Sequence, residues 1–334
     1  MPKITYFVET HEPEIEAISK EVELLSKNFQ STIYDAVSNK FNFSKNFIAF
    51  NYKRFPFGLL SLPFIEKKTD LSHIYTSLGN YFYLRLLRKK PIVLTAAGAS
   101  SKEKIKKCLP FYKNLNKIIV ESEKDKKMLL SLGVDNKKIF LIYPGINLKK
   151  FKYKQAKGKF KILFASSPMQ EIHFKSRGIY LLIEAAKELP DIEFILLWRG
   201  KYLNKIKSFV SGIDNIKIIN KKIRDISKIY EQAHATILPF TSYLNTKPCP
   251  HSAIESLASG KPVLVTDVSG IVGLVRKEKC GIITKTTKKG IIEGIIKLRK
   301  SYKAFQKNCF KVAKRYFDEQ RFVRNYKKIY NELY

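Results

Sequence analysis

The residues best suited to chemistry sit together in the C-terminal half, in Cys249-Pro250-His251-Ser252-Ala253-Ile254-Glu255-Ser256-Leu257-Ala258-Ser259-Gly260-Lys261-Pro262-Val263-Leu264-Val265-Thr266. This stretch reads as a loop, a helix, a glycine stop and a buried strand. Two accounts of Glu255 coexist. Ser252 followed three residues later by Glu255 is a capping box, and Gly260 ahead of Lys261-Pro262 is an ordinary helix terminator. A helix start at the carboxyl edge of a parallel sheet also binds anionic groups through its free N–H groups, and a carboxylate there can hold ribose hydroxyls. A capping Glu and a ribose-binding Glu do not exclude each other.

Such a helix needs a sheet to hold it, and the chain supplies apolar runs for two. Runs at Ile4–Val8, 47–50, 72–75, 92–95 and 118–120 alternate with helical stretches, the amphipathic 14–27 first, which predicts a parallel sheet wrapped by helices. A second series has strands at 161–165, 194–198, 216–219, 235–239 and 262–266, with helices at 180–188, 225–233 and 252–259, and predicts a second doubly wound sheet. Between them Tyr143-Pro144-Gly145-Ile146-Asn147 and the polar 149–159 read as a turn and a charged linker. The expected domains are therefore 1–152 and 153–314. The stretch 315–334 carries Phe322, Tyr326, Ile329 and Tyr330 at helical spacing, and either finishes the second domain or crosses back to the first.

Composition agrees with two soluble cores. The chain has 334 residues, 45% hydrophobic and 28% charged, with 15 Gly and 13 Pro, a profile that excludes disordered and fibrous classes. Cys108, Cys249, Cys280 and Cys309 are widely separated, with no Cys-x-x-Cys pair, so neither zinc nor a disulfide framework is expected and a reducing cytoplasm is the natural reading. The start lacks signal-peptide anatomy, and no apolar run approaches the roughly 20 residues of a membrane span. With 63 Lys+Arg against 29 Asp+Glu, the formal charge of +34 draws polyanions of every kind, so charge alone selects no partner.

The stretch 252–266, with Asp267-Val268-Ser269-Gly270-Ile271 and Gly281 after it, resembles the donor-binding core of family-four retaining glycosyltransferases, the glycosyl transferases group 1. Other stretches match in order. Glu121-Ser122 through Leu132-Gly133-Val134 to 143–151 is similar to the family's interdomain passage. Arg177-Gly178 ahead of 181–186 is similar to its Lys-Gly helix opening, and 226–240 to a strip ending in a strand and Pro. The resemblance spans most of 118–334. It implies the GT-B fold, α/β with two doubly wound Rossmann-like domains facing each other across a cleft, the first on the acceptor side and the second binding the nucleotide sugar. It also implies retaining, metal-independent hexosyl transfer from a UDP- or GDP-type diphosphate sugar to a hydroxyl acceptor in glycan biosynthesis, without a cofactor.

On that resemblance Glu255 is similar to the second Glu of the family's signature, whose carboxylate grips the donor ribose. Arg177 takes the place of the Lys that neutralises the diphosphate. Breaking a sugar–phosphate bond develops charge on the departing diphosphate, which a fixed cation and helix dipoles stabilise without a metal. The alternative for Arg177 is a solvated surface cation. Pro250, His251 and Ser252 belong to the same donor site, and the base loop lies near 220–223, including Lys222 and Ile223.

Departures from the family are equally specific. The position of the first signature Glu, eight before Glu255, is Lys247. A cation there cannot accept hydrogen bonds from sugar hydroxyls. An anionic donor sugar, a grip on the diphosphate, or a shifted loop would each account for it. The usual Gly-Arg after the first strand of the second domain reads Ala165-Ser166-Ser167-Pro168, so one diphosphate cation is missing and Lys175 or Arg199 is left to compensate. In the first domain the expected glycine pair reads Glu9-Thr10-His11-Glu12-Pro13, and the active-site His is replaced at Ala96-Ala97-Gly98. Thr10, His11 and Gly98 are thus the candidates on the acceptor side. Asp70-Leu71-Ser72-His73 resembles a family strand whose His supports structure.

Segments 52–60, 81–90 and 102–107 mix apolar residues with cations, as a surface at anionic lipid does. Alternatively their apolar residues are core and their cations a solvated face. With the charge they make a lipid-linked acceptor and a peripheral position on the cytoplasmic face reasonable. A nucleic-acid binder would need a stacking module, which is not recognisable, so no specific nucleic acid is expected. A glycosyltransferase-like scaffold that binds without transferring is the remaining rival.

Overall fold

The computed structural model describes residues 2–13, 16–88, 91–199, 201–221 and 223–334. The chain folds as two compact units, Met1–Gly145 with Glu319–Tyr334, and Ile146–Asp318. Each is built on a largely or wholly parallel sheet, as the alternating apolar runs predict.

The first unit has strands β1 Ile4–Val8, β2 Ser31–Asp35, β3 Val37–Phe43, β4 Phe47–Asn51, β5 Leu71–Ser77, β6 Ile92–Gly98, β7 Lys117–Val120 and β8 Ile139–Leu141. Their order is β3-β4-β2-β1-β5-β6-β7-β8, parallel except for the antiparallel β3–β4 pair at one edge. The helix read from residue 14 onward runs over Ala17–Asn28, and position 14 lies outside the described residues. Strand β1 shows how the sheet divides its core. Ile4, Tyr6 and Val8 point to one face and Phe7 to the other, the alternation of a strand covered on both sides.

The C-terminal helix Glu319–Asn331 covers the Ile4 face, inserting Phe322, Tyr326, Ile329 and Tyr330. Its phenols explain the choice of site. His73 on β5 contacts the Tyr330 hydroxyl through Nδ1 at 2.7 Å and Thr95 Oγ1 through Nε2 at 2.8 Å, and the Tyr75 hydroxyl donates to that of Tyr326 at 3.0 Å. Full burial pulls the His73 pKa down to about 3, so the ring stays neutral in this network. Gly145 allows the close pass beneath the helix, because a Cβ there would meet Phe322 Cβ at 2.5 Å.

The second unit has strands β9 Phe160–Phe164, β10 Ile192–Leu197, β11 Ile216–Ile219, β12 Ala235–Leu238, β13 Val263–Thr266 and β14 Gly281–Thr284, all parallel, in the order β11-β10-β9-β12-β13-β14. Its core joins Phe164, Phe194, Leu196 and Trp198 to the helices Ile179–Lys187 and Lys288–Lys300. All four cysteines are buried and unpaired as disulfides. Among the described residues no helix is long and apolar enough to cross a membrane.

Candidate functional site

In the second sheet the strand order reverses between β9 and β12, since β9 leads to β10 and β11 on one side while β12 leads to β13 and β14 on the other. Open α/β sheets bind ligands outside the carboxyl ends of the strands at such a reversal. Hydrogen bonds knit the loops together at that edge. Arg177 Nη1 donates to the carbonyl of Ser166 at 3.2 Å and to that of Ser167. Ser167 Oγ accepts the Arg199 N–H at 2.9 Å and donates to the Leu197 carbonyl at 2.8 Å, which fixes the loop after β9 to the end of β10. From the β12 side, Thr241 donates its N–H to the Ser176 carbonyl at 2.9 Å and its hydroxyl to the Lys175 carbonyl at 2.6 Å.

Two glycines permit this convergence. Gly178 has φ +68°, and a Cβ there would lie 1.7 Å from the Pro239 carbonyl oxygen, so no side chain fits. At Gly270 a Cβ would lie 2.3 Å from the Pro248 carbonyl oxygen, which shows how closely the loop after β13 presses on the loop that carries Lys247.

The helix His251–Ala258 begins two residues earlier than the capping-box reading requires. Pro250 is its N-cap, in extended conformation, and makes no side-chain cap hydrogen bond. Ser252 lies inside the first turn, so the capping-box account of Glu255 is wrong. The helix is buried on nearly every side, and Glu255, 9% exposed, instead receives the phenol of Tyr230 on Oε2 at 2.8 Å. That phenol also lies 3.3 Å from the Ser252 carbonyl. Burial and the neighbouring carboxylate push the Tyr230 pKa far up, so Tyr230 remains a donor. The far end of the helix is as read. Gly260 at φ +69° lets Lys261 N–H reach the Ser256 carbonyl at 2.9 Å and Gly260 N–H the Leu257 carbonyl at 3.0 Å, a Schellman turn.

Arg177 is half-buried, and desolvation lowers its pKa to about 10, which leaves it charged at neutral pH. Two of its five N–H groups belong to Nη1, so Nε and Nη2 remain for a ligand. Arg199 is exposed, and its charge is felt at the Tyr230 phenol, which puts it in range of the Glu255 pair. Lys175 is exposed, Lys247 and His251 are half-buried, and Pro250 and Ser252 are buried. In the expected base loop Ile223 is half-buried, Asn220 Nδ2 donates to the Trp198 carbonyl at 2.7 Å, and Lys222 lies outside the described residues. Sequence reasoning placed Tyr230 on a helix without a role, although a Tyr on a core-facing helical position always needs a partner for its hydroxyl.

At the carboxyl edge of the first sheet, the loop after β1 holds Thr10, whose hydroxyl donates to Glu16 Oε2 at 2.7 Å. His11 packs its ring on Phe47 at 5.3 Å, whereas Gly98 pairs with Ser77 between β5 and β6. Glu9 bridges toward β5. Glu9 Oε1 accepts the Thr76 hydroxyl and Asn80 Nδ2, the latter at 2.6 Å.

The family model of glycosyl transferases group 1 matches residues 147–315, half of the chain. Two uncharacterized glycosyltransferases of Methanocaldococcus jannaschii are similar to it. One is 27% identical over 281 residues, covering 79% of this chain and 76% of the relative. The other is 24% identical over 347 residues, covering 94% and 87%. Among solved structures, a sucrose-phosphate synthase from Thermosynechococcus elongatus superposes with TM-score 0.79 at 15% identity, covering 99% of this chain and 98% of its own. HepE of Anabaena, solved with UDP and glucose, superposes with TM-score 0.78 at 13% identity over 100% of both chains. The fold is GT-B, with two Rossmann-like units, and the chain belongs to the glycosyl transferases group 1 family.

Proposed function

We propose that this glycosyltransferase is a retaining, metal-independent enzyme that moves a hexosyl group from a UDP- or GDP-type sugar to a lipid-linked or other glycan hydroxyl. The observation that carries the donor half is the Tyr230–Glu255 pair beside the start of helix His251–Ala258. The phenol occupies one carboxylate oxygen and leaves the other to accept ribose hydroxyls. The helix start offers N–H groups to the diphosphate, and the remaining donors of Arg177 supply a fixed cation. Together these stabilise the charge that develops as the sugar–phosphate bond breaks, the part a metal plays in other transferases. In retaining transfer the departing phosphate can itself take the acceptor proton, so no protein base is assigned.

The UDP in the HepE structures belongs to that protein. A thermal-shift panel of UDP, GDP and their sugars is expected to show stabilisation by one base, lost in Glu255→Ala. Equal shifts in the two proteins would remove the assignment. Lys247 favours a second reading, a scaffold that binds a nucleotide sugar without transfer. A chain that binds nucleotide normally, yet releases no nucleotide product with any donor and acceptor tried, would establish it.

A further inference from the structure

Three segments mix apolar groups with cations in the sequence, and the structure separates them. In 81–90, Tyr83, Leu84 and Leu87 are core, and positions 89 and 90 lie outside the described residues. In 102–107, Ile105 is core. The segment 52–60 is different, and it is joined by neighbours the sequence did not group with it. Phe41 is 69% exposed, Phe57 70%, Leu60 66% and Phe64 69%. Phe43 is 48% and Phe55 38% exposed.

These side chains form one surface. Phe41 sits 5.2 Å from Phe43 and 5.4 Å from Phe55 between ring centroids, and Phe55 lies 6.5 Å from Phe57. Phe57, Leu60 and Phe64 then follow at helical spacing through Pro56–Ser61 and Leu62–Lys67, so they share a face. Gly58 seats that turn on the sheet, since a Cβ there would strike the Phe50 ring at 2.5 Å. Two of the six, Phe41 and Phe43, lie on β3, the outermost strand of the sheet, where apolar side chains are normally replaced by charges. A solvated protein does not keep six such groups together without a use for them.

The charge beside the patch indicates what covers it. Lys45, Lys53, Arg54, Lys67 and Lys68 are all exposed. From Val37 to Lys68 the one acidic residue is Glu66, which is buried and accepts the Arg88 N–H at 2.8 Å. Aromatic groups flanked by unopposed cations suit the interface of an anionic bilayer, with the rings at headgroup depth and the ammonium groups among the phosphates. A protein partner is the poorer fit, because four of the five cations are Lys, a residue depleted from protein interfaces.

We propose that this face, from Phe41 to Lys68, docks the first unit on an anionic lipid surface. The inference deepens the lipid-linked acceptor of the proposed function and rests on that reading for its purpose, while its geometry is independent of the donor site. Docking would hold the acceptor side against the leaflet in which such an acceptor resides.

The test is co-sedimentation of the full chain with vesicles of phosphatidylcholine, with and without phosphatidylglycerol. Binding is expected only to the anionic vesicles and should weaken with salt. Phe57→Ser with Phe64→Ser should reduce partitioning by about tenfold without moving the melting temperature, since both side chains are already mostly in water. Lys53→Glu with Arg54→Glu should do the same. Glu255→Ala should bind vesicles normally, so loss of the donor assignment and loss of the docking surface are told apart. Absence of vesicle binding, or undiminished binding by the double Phe variant, overturns the proposal. So does concentration-dependent self-association that the double Phe variant abolishes, which would assign the face to a second copy of the chain.

Discussion

The phenol of Tyr230 donates a 2.8 Å hydrogen bond to Glu255 Oε2, and both groups are buried at the carboxyl edge of the second sheet. A buried carboxylate held by one neutral donor is oriented, with its other oxygen left for hydroxyls. Removing the phenol leaves Oε2 buried without its donor and the carboxylate less fixed. Tyr230→Phe is therefore expected to lower nucleotide affinity by about 1–1.5 kcal/mol, roughly tenfold, by calorimetry. Unchanged or tighter binding would show that Glu255 does not meet the ribose.

Gly178 and Gly133 both have positive φ, but only one is enclosed. At Gly133 a new Cβ meets nothing within 4 Å, while at Gly178 it meets the Pro239 carbonyl at 1.7 Å. Gly133→Ala should cost about 1 kcal/mol, from its left-handed backbone alone. Gly178→Ala should cost upwards of about 3 kcal/mol and displace the Arg177 loop. Denaturant melts of the two variants check this, and similar midpoints would mean that the β12 loop yields easily.

His73 gives the first unit an acid sensitivity of definite sign. Its folded pKa of about 3 lies below the ordinary value of 6.5, so the unfolded chain takes up a proton first as pH falls. Stability is unaffected by this group above pH 6.5 and declines between there and pH 3, by up to about 1.4 kcal/mol per pH unit. His173 and His234, both lowered to about 4 by burial, act in the same direction. His73→Asn should flatten the slope of stability against pH in that window. An unchanged slope would mean that the ring is protonated in the folded protein.

These groups show which parts of the structure can be read from residue order. Strands β1, β5, β6, β9, β10, β12 and β13 are rich in apolar and β-branched residues and mostly buried along their length, because both faces of a parallel sheet are covered. Strand β3, Val-Ser-Asn-Lys-Phe-Asn-Phe, interrupts its apolar residues with polar ones in sequence and pairs through a register shift, so no apolar run marks it. Gly178 was legible because its positive φ and its close approach to Pro239 both demand a glycine, whereas the capping box read at Ser252 and Glu255 is not formed. Tyr230 was not legible, because its partner is 25 residues away, on another helix. The helix start was misread for a similar reason. Pro250 can occupy the cap as well as Ser252 can, and only the packed loop decides between them.

Lys247 is the residue at which the donor of this enzyme should differ from that of its relatives. It lies in the loop pressed by Gly270 through Pro248, so the position is held firmly although the side chain is half-buried. The family resemblance implies a carboxylate at this position, which would accept from sugar hydroxyls; an ammonium can only donate, and it favours a donor sugar bearing negative charge. Lys247→Glu would place like charges together on such a donor and restore an acceptor for a neutral one. The expected result is a shift of about tenfold or more in relative kcat/KM from a uronic-acid nucleotide toward the neutral hexose nucleotide, with affinity for the free nucleoside diphosphate unchanged. If affinity for the free diphosphate falls instead, Lys247 belongs to the phosphate site. If neither quantity moves, the loop presents some other group to the sugar.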